Sequence, residues 1–371
     1  MGHPPTGEVA VPQYERGTHP RQAHVALPEG SVEEEFGRRG FYGRASHLYR
    51  LHPPTGWTDI SGPLRPHAYD LNAVPDQGDE RALPVDVLVN DDVRLGVWLR
   101  DREMPFFHRD GDGDLTLFVH RGTGTVETDF GPLTYRGGDY VVLPRGTTFR
   151  IVPADPTFLL TIHTTAEIEP PDRGLLGRHA LWDETAVRVP DADPHDEAGD
   201  FEVVIRQQGE LTSVRYPFHP LDVIGWKGDL TAFALNADAL RPVSSFSYHL
   251  PPSAHTTFVA GNAVICTFVP RPLETHPEAL KVPFYHRNID YDEVIFYHHG
   301  DFFSRAGITP GMVTWHPQGI HHGPHPKAVA NAGAKDFTDE IAVMIDCRHP
   351  LRATAAGDGV EMREYWASWM E

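Results

Sequence analysis

Residues His108–Gly122 read HRDGDGDLTLFVHRG, and residues His286–Gly300 read HRNIDYDEVIFYHHG. Aligned without a gap, His108 falls on His286, Arg109 on Arg287, Asp112 on Asp290, Asp114 on Asp292, Phe118 on Phe296, His120 on His298 and Gly122 on Gly300. A second pair of blocks follows in the same order. GDYVVLPRGTTF (Gly138–Phe149) and GMVTWHPQGIHH (Gly311–His322) both read G-x5-P-x-G-x2 and then one variable residue. Two blocks recurring in one order mark an internal duplication. The chain reads as two copies of one domain.

The apolar runs in and around these blocks are short and bounded by turn residues: DLTLFVH from Asp114, YVVLP from Tyr140, FLLTIH from Phe158, AVICTFV from Ala263, EVIFY from Glu293 and IAVMID from Ile341. Strands of this length at this spacing predict a sandwich or barrel. The 34 Gly and 34 Pro in 371 residues exceed the usual combined share of about 12% and leave few windows for long helices. The expected fold is all-β, two jelly-roll barrels with an N-terminal arm and short helices. Residues 1–75, Pro-rich and unlike either copy, form the arm. Residues 76–167 hold the first domain, 168–200 a linker with one short helix around 175–182, and 201–371 the second domain with its tail. The charge runs at Glu33–Glu35 and Asp191–Asp200 read as solvated loops.

With 32 Lys+Arg against 52 Asp+Glu the formal charge is −20. Such a surface repels phosphate backbones and anionic lipid, which argues against nucleic-acid and membrane partners. Cys266 and Cys347 are too few and too distant for a disulfide framework or a CxxC site, as suits a reducing compartment. No apolar run approaches the roughly 18 residues of a membrane helix, and the N-terminus lacks a basic start followed by an apolar stretch. A cytoplasmic protein is expected.

The copies differ at two positions. Where the second has Glu293 the first has Leu115, and where the second has His322 the first has Phe149. A metal site needs carboxylate and imidazole, whereas a core tolerates Leu and Phe. The duplication supplies its own control: copy one is structural and copy two functional. His286, Glu293 and His322 are the candidate metal ligands. With 23 histidines in the chain a lone His is weak evidence, since most are structural or solvated. His298 and His120 match across the copies and read as structural. His321 is an alternative to His322, and His316 a candidate contact to a ligand or to the substrate.

The blocks resemble the cupin motifs G-x5-H-x-H-x3–4-E-x6-G and G-x5-P-x-G-x2-H-x3-N. Asn288 stands at the second-His position, no Gly lies six residues before His286, and Pro326 stands where Asn is usual. Two His and one carboxylate remain, the facial triad of non-haem Fe(II) oxygenases.

The run PFYHRNIDYDE, followed by HHGPHP, further resembles the homogentisate 1,2-dioxygenases, whose hallmark is YYHRN, a Glu shortly after, and PHGPD. LYRLHPPT (Leu48–Thr55), ETDFGPLTYRGGDYVVLPRGTTFRI (Glu127–Ile151) and the terminal REYWASWM extend the likeness over most of the chain. The resemblance implies Fe(II) on His286, Glu293 and His322. It implies a hydroquinone-type acid and O2 as substrates, with homogentisate opened to maleylacetoacetate, and a trimeric or hexameric assembly. SYHLPPS places His249 at the family's proposed acid/base histidine. Phe284 and Phe302 stand at substrate-facing positions where the better-known members have Tyr, Glu293 is seven rather than six residues after His286, and His325 replaces the Asp of HGPD. Alternatives to homogentisate cleavage are cleavage of gentisate or another hydroquinone, a metal-dependent cupin isomerase or hydrolase, and a metal-free storage or sugar-binding bicupin.

Overall fold

The computed structural model describes residues 14–76, 78, 82–281, 284–302, 305, 307–330 and 335–370. The N-terminal stretch read for a leader lies largely outside the described residues. All six apolar runs are strands: Asp114–Arg121, Asp139–Leu143, Thr157–Thr164, Ala263–Phe268, Asp292–His299 and Ile341–Cys347. Two sheets, of seven and six strands, enclose the first copy. The second copy has a six-stranded sheet facing a three-stranded one. The protein is an all-β bicupin with short helices. The helix expected around 175–182 is a single 3-10 turn at Gly174–Leu176.

Period-two alternation sets which way each side chain faces. On the strand Asp114–Arg121, Leu115, Leu117 and Val119 enter the first barrel, while Phe118 faces the second. On Asp292–His299, Ile295 and Tyr297 point into the second barrel, with Glu293 in the same phase, and Val294 and Phe296 face the first. Between the barrels Phe296 packs edge-on against Phe118 and Phe158, with centroids 6.1 and 5.8 Å away. Each such ring contributes about 1.5–3 kcal/mol through burial. His120 and His298 meet there, Nδ1 to Nδ1 at 3.0 Å. The matched pair is thus an inter-barrel contact.

Each barrel is completed by a hairpin from outside its own repeated blocks. The hairpin of Val32–Gly37 and Ala45–Arg50 joins the second copy, parallel to Tyr285–Asn288, with Glu35 opposite His286. The hairpin of Ala198–Gln207 and Glu210–Phe218 joins the first, parallel to Phe107–Asp110, with Val204 opposite His108. The strands His67–Asp70 and Phe233–Asn236 follow the same pattern. Residues that the sequence groups with the second domain therefore complete the first, because a parallel pairing needs a distant segment.

The matched aspartates hold this arrangement. Asp112 accepts from the backbone N–H groups of Gln208 and Gly209, at 2.5 and 2.8 Å, in a two-residue turn with φ of +54° and +76°. Asp290 accepts from Arg39 N at 2.5 Å and Arg38 Nε at 2.9 Å in the other hairpin loop. Asp114 accepts from Arg145 N and Ile168 N, both at 2.8 Å. Asp292 accepts from Gln318 N, Leu351 N and Trp315 Nε1 at 2.8–2.9 Å.

Glu33–Glu35 is no solvated loop. All three residues lie on a buried strand, and partners brought by the fold allow it. Glu33 meets His24, His47 and Tyr49 at 3.0–3.1 Å, and Glu34 meets Arg50 and His321. Buried charges persist only when paired in this way. Asp191–Asp200 is exposed except at one residue, but its last three residues already belong to the strand Ala198–Gln207 rather than to a loop.

Candidate metal centre and substrate cavity

His286 sits on Tyr285–Asn288, and Glu293 on the facing strand Asp292–His299. His322 follows the Pro317–Gly319 turn and bonds His286 through both backbone groups, at 2.9 and 3.0 Å. The first copy repeats the geometry as the pair His108–Phe149, with apolar Leu115 in Glu293's place. The duplication thus builds one frame and equips it with polar ligands once.

In the second copy the three residues are 7%, 5% and 1% exposed, and their ligand atoms lie within 4.8 Å of one another. Nδ1 of His286 donates to Phe284 O at 3.0 Å, and Nδ1 of His322 to Ile320 O at 3.2 Å. A carbonyl only accepts, so Nδ1 carries a hydrogen in each ring, and Nε2 is the atom left to coordinate. Both Nε2 atoms face Glu293 Oε2, that of His286 within hydrogen-bond distance at 3.2 Å and that of His322 at 3.5 Å. Nε2 of His322 is buried without a hydrogen-bond partner. With both Nε2 atoms deprotonated, three electron pairs converge in a buried space and repel unless a cation sits among them. The donor set therefore fits a divalent metal, two imidazoles and one carboxylate leaving further positions open.

Electrostatics support that state. Burial would raise the Glu293 pKa, but its interactions with His322, His286 and His316 hold it well below the usual value. Burial and His286 push His322 down to about 4, so it is neutral and able to coordinate. Asp346, directly across the sheet from Glu293, is pushed well above the usual range by burial and by the charges of Glu293 and Asp292.

His316 is fully buried. Its Nδ1 donates to Glu293 Oε1 at 2.9 Å, and its ring stacks on His322 at 4.6 Å and 17°. It orients the carboxylate and is not among the residues lining the cavity. His321 is turned away, its Nε2 3.1 Å from Glu34. His325 bonds the Ser368 carbonyl.

The centre opens into a cavity of about 680 Å³, counting its mouth. Phe284 lines it, stacked on His24 at 4.5 Å. His249 lines it as well, with Nδ1 3.0 Å from Glu274 Oε1. Phe302 does not; it packs edge-on behind Tyr297 at 4.8 Å, within an apolar cluster. The structure thus brings His249 and Phe284 together with the triad, and sets His316 and Phe302 one layer behind.

Sequence reasoning missed His255, Arg271, Arg305 and Glu340, which line the same cavity. Burial, Arg271 and His249 hold His255 down to about 3, so it is neutral. Arg305 Nη1 donates to Gly323 O at 2.8 Å, and Nη2 lies 4.0 Å from Glu293. None of the four occupies a position in the duplicated blocks, so the sequence carries no signal for them.

A two-barrel cupin with a centre of two imidazoles and one carboxylate in its second barrel defines the class. Residues 85–237 match the family described as homogentisate 1,2-dioxygenase N-terminal. A protein of Saccharolobus solfataricus that carries a provisional dioxygenase name is 32% identical over 381 residues, covering 96% of this chain and 98% of that relative. Homogentisate 1,2-dioxygenases of Bradyrhizobium diazoefficiens and Rhodopseudomonas palustris are 27% and 26% identical, over 66% and 70% of this chain and 58% and 61% of theirs. Among solved structures, a cupin 2 conserved barrel domain protein from Leptotrichia buccalis aligns with TM-score 0.35 and 11% identity, over 76% of this chain and 96% of that one. The chain belongs to the homogentisate 1,2-dioxygenase family of cupins.

Proposed function

We propose that the protein is an Fe(II)-dependent dioxygenase that opens the ring of homogentisate with O2 to give maleylacetoacetate, working as a cytoplasmic homo-oligomer. The observation that carries the reading is the convergence of His286 Nε2, His322 Nε2 and Glu293 beside a cavity that His286 and Glu293 line.

In this reading His286, Glu293 and His322 hold the iron. When bound, it lets a singlet ring exchange electrons with triplet O2, a direct reaction that is otherwise slow. Phe41, Phe284, Ile295 and Met344 supply an apolar wall for the ring. His249 takes the phenolic proton. Its Nδ1 is turned to Glu274, which leaves Nε2 as the accepting atom. Interaction with His249 holds Glu274 below the usual carboxylate range despite burial, so an anion stands ready to stabilise the imidazolium. Both oxygen atoms end in the ring-opened product.

A related hydroquinone acid such as gentisate is the second reading, favoured by Phe284 at a position where a tyrosine would offer a hydroxyl to the substrate. The test is O2 uptake by Fe(II)-loaded protein given homogentisate or gentisate, with product absorbance followed. Uptake with homogentisate and a ring-cleavage product supports the first reading. Uptake with gentisate alone replaces the substrate, and no uptake by iron-loaded protein with either rejects ring cleavage of both.

A further inference from the structure

Arg271 opens a two-residue ribbon, Arg271–Pro272 against Phe337–Thr338, just beyond the barrel strand Ala263–Phe268. Leu273 N extends the ribbon with a 2.9 Å bond to Asp336 O. The residue is thus fixed by backbone pairing on both sides, and its part-buried side chain lines the cavity that holds His286, Glu293 and His249.

The protein gives the guanidinium few partners. Nη1 makes one long bond to Val269 O at 3.3 Å, and Cζ lies 5.4 Å from the Phe268 ring centroid. Among the described residues no carboxylate comes within 4.0 Å; Glu340 and Glu274 act on it from farther away. Arg94 in the first copy shows the contrast. It is also part-buried, and Asp86, Asp110 and Asp112 lie 3.7, 3.2 and 3.9 Å from it. A guanidinium offers five N–H donors in a planar fork and stays charged when desolvated, so a half-satisfied one beside a reaction cavity is a seat for a planar anion. Burial pulls its pKa below the ordinary arginine value, in the direction expected of a cation short of compensation.

We propose that Arg271 receives the carboxylate of an aryl-acid substrate, fixing which end of the ring faces the metal centre. The assignment rests on the aromatic-acid reading above for the substrate class, and on the cavity geometry for the anion. Phe268 and Met344, on the same wall, give the arene an apolar surface beside the fork. A neutral hydroquinone would leave the guanidinium unpaired.

The test compares 2,5-dihydroxyphenylacetate with its methyl ester by calorimetric titration without O2, on metal-loaded wild type, Arg271→Gln and Arg271→Lys. The wild type should bind the acid about a hundredfold more tightly than the ester, as for a desolvated charge pair. Arg271→Gln should bind both at the ester's affinity with unchanged metal content, and Arg271→Lys should recover part of the difference. A wild type without preference for the acid overturns the proposal, as does a glutamine variant that keeps the preference or loses both ligands equally. Acid bound through Arg271 but never consumed would discard ring cleavage and keep the seat. Turnover of homogentisate at unchanged KM by Arg271→Gln would do the reverse.

Discussion

Replacing His316 with Phe isolates the contribution of one hydrogen bond to the metal centre. His316 is wholly buried, stacks on His322 at 4.6 Å, and donates from Nδ1 to Glu293 Oε1 at 2.9 Å. Phenylalanine keeps the stacking surface and roughly the volume, and it removes His316 Nε2, a buried atom without a partner. What is lost is a hydrogen bond to an ionised acceptor, worth about 1.5–3 kcal/mol. At about 1.4 kcal/mol per tenfold, that predicts a metal dissociation constant weakened about 10- to 150-fold, in line with the 10–100-fold typical of residues that orient metal ligands. The assay is competition for Fe(II), or for Co(II) as an optical probe, against a chelator of known affinity, with the melting temperature followed in parallel. Unchanged affinity in His316→Phe would refute the idea that His316 orients the carboxylate. A loss as large as that of Glu293→Ala would refute it too, by making His316 a ligand in its own right.

Asp114→Ala and Asp292→Ala should both destabilise, since each strips acceptors from buried backbone donors. We expect about 2–4 kcal/mol for Asp114 and about 4–6 for Asp292, which also serves Trp315 and Gln318 side chains, read by denaturant unfolding. Equal effects would contradict the bonding scheme. His24 and His47 hold buried Glu33 down to about 2, although burial alone would raise it. A depressed carboxylate stabilises above its unfolded pKa of about 4.5 and loses that contribution as pH falls toward 2, so wild type should lose up to about 3 kcal/mol relative to Glu33→Gln over that window. Parallel pH profiles would contradict it. His249→Ala should cut turnover at least a hundredfold while iron content stays at the wild-type level, and loss of iron would remove its acid–base role.

Much of the site was legible because the chain carries its own control. Leu115 against Glu293 and Phe149 against His322 separate frame from function, and the structure shows the same backbone pairing at His108–Phe149 and His286–His322. The matched aspartates were visible as matches, but not as clasps for these hairpins, because Asp112 and Asp290 reach segments 96 and 251 residues away in the chain. The same distance hid the burial of Glu33–Glu35, whose partners His47, Arg50 and His321 no local pattern announces. Arg271, Arg305 and Glu340 enter the cavity from outside the repeated blocks, where periodicity says nothing about which polar side chain turns inward.

The most direct measurement of the central claim puts the first copy's residues into the second. Wild type, Glu293→Leu/His322→Phe and the converse Leu115→Glu/Phe149→His would each be loaded with Fe(II) without O2, desalted, and assayed for iron per chain. One equivalent in the wild type, none in the first double variant and an unchanged single equivalent in the converse variant are predicted. Iron retained at full stoichiometry by Glu293→Leu/His322→Phe would place the metal elsewhere and contradict the account.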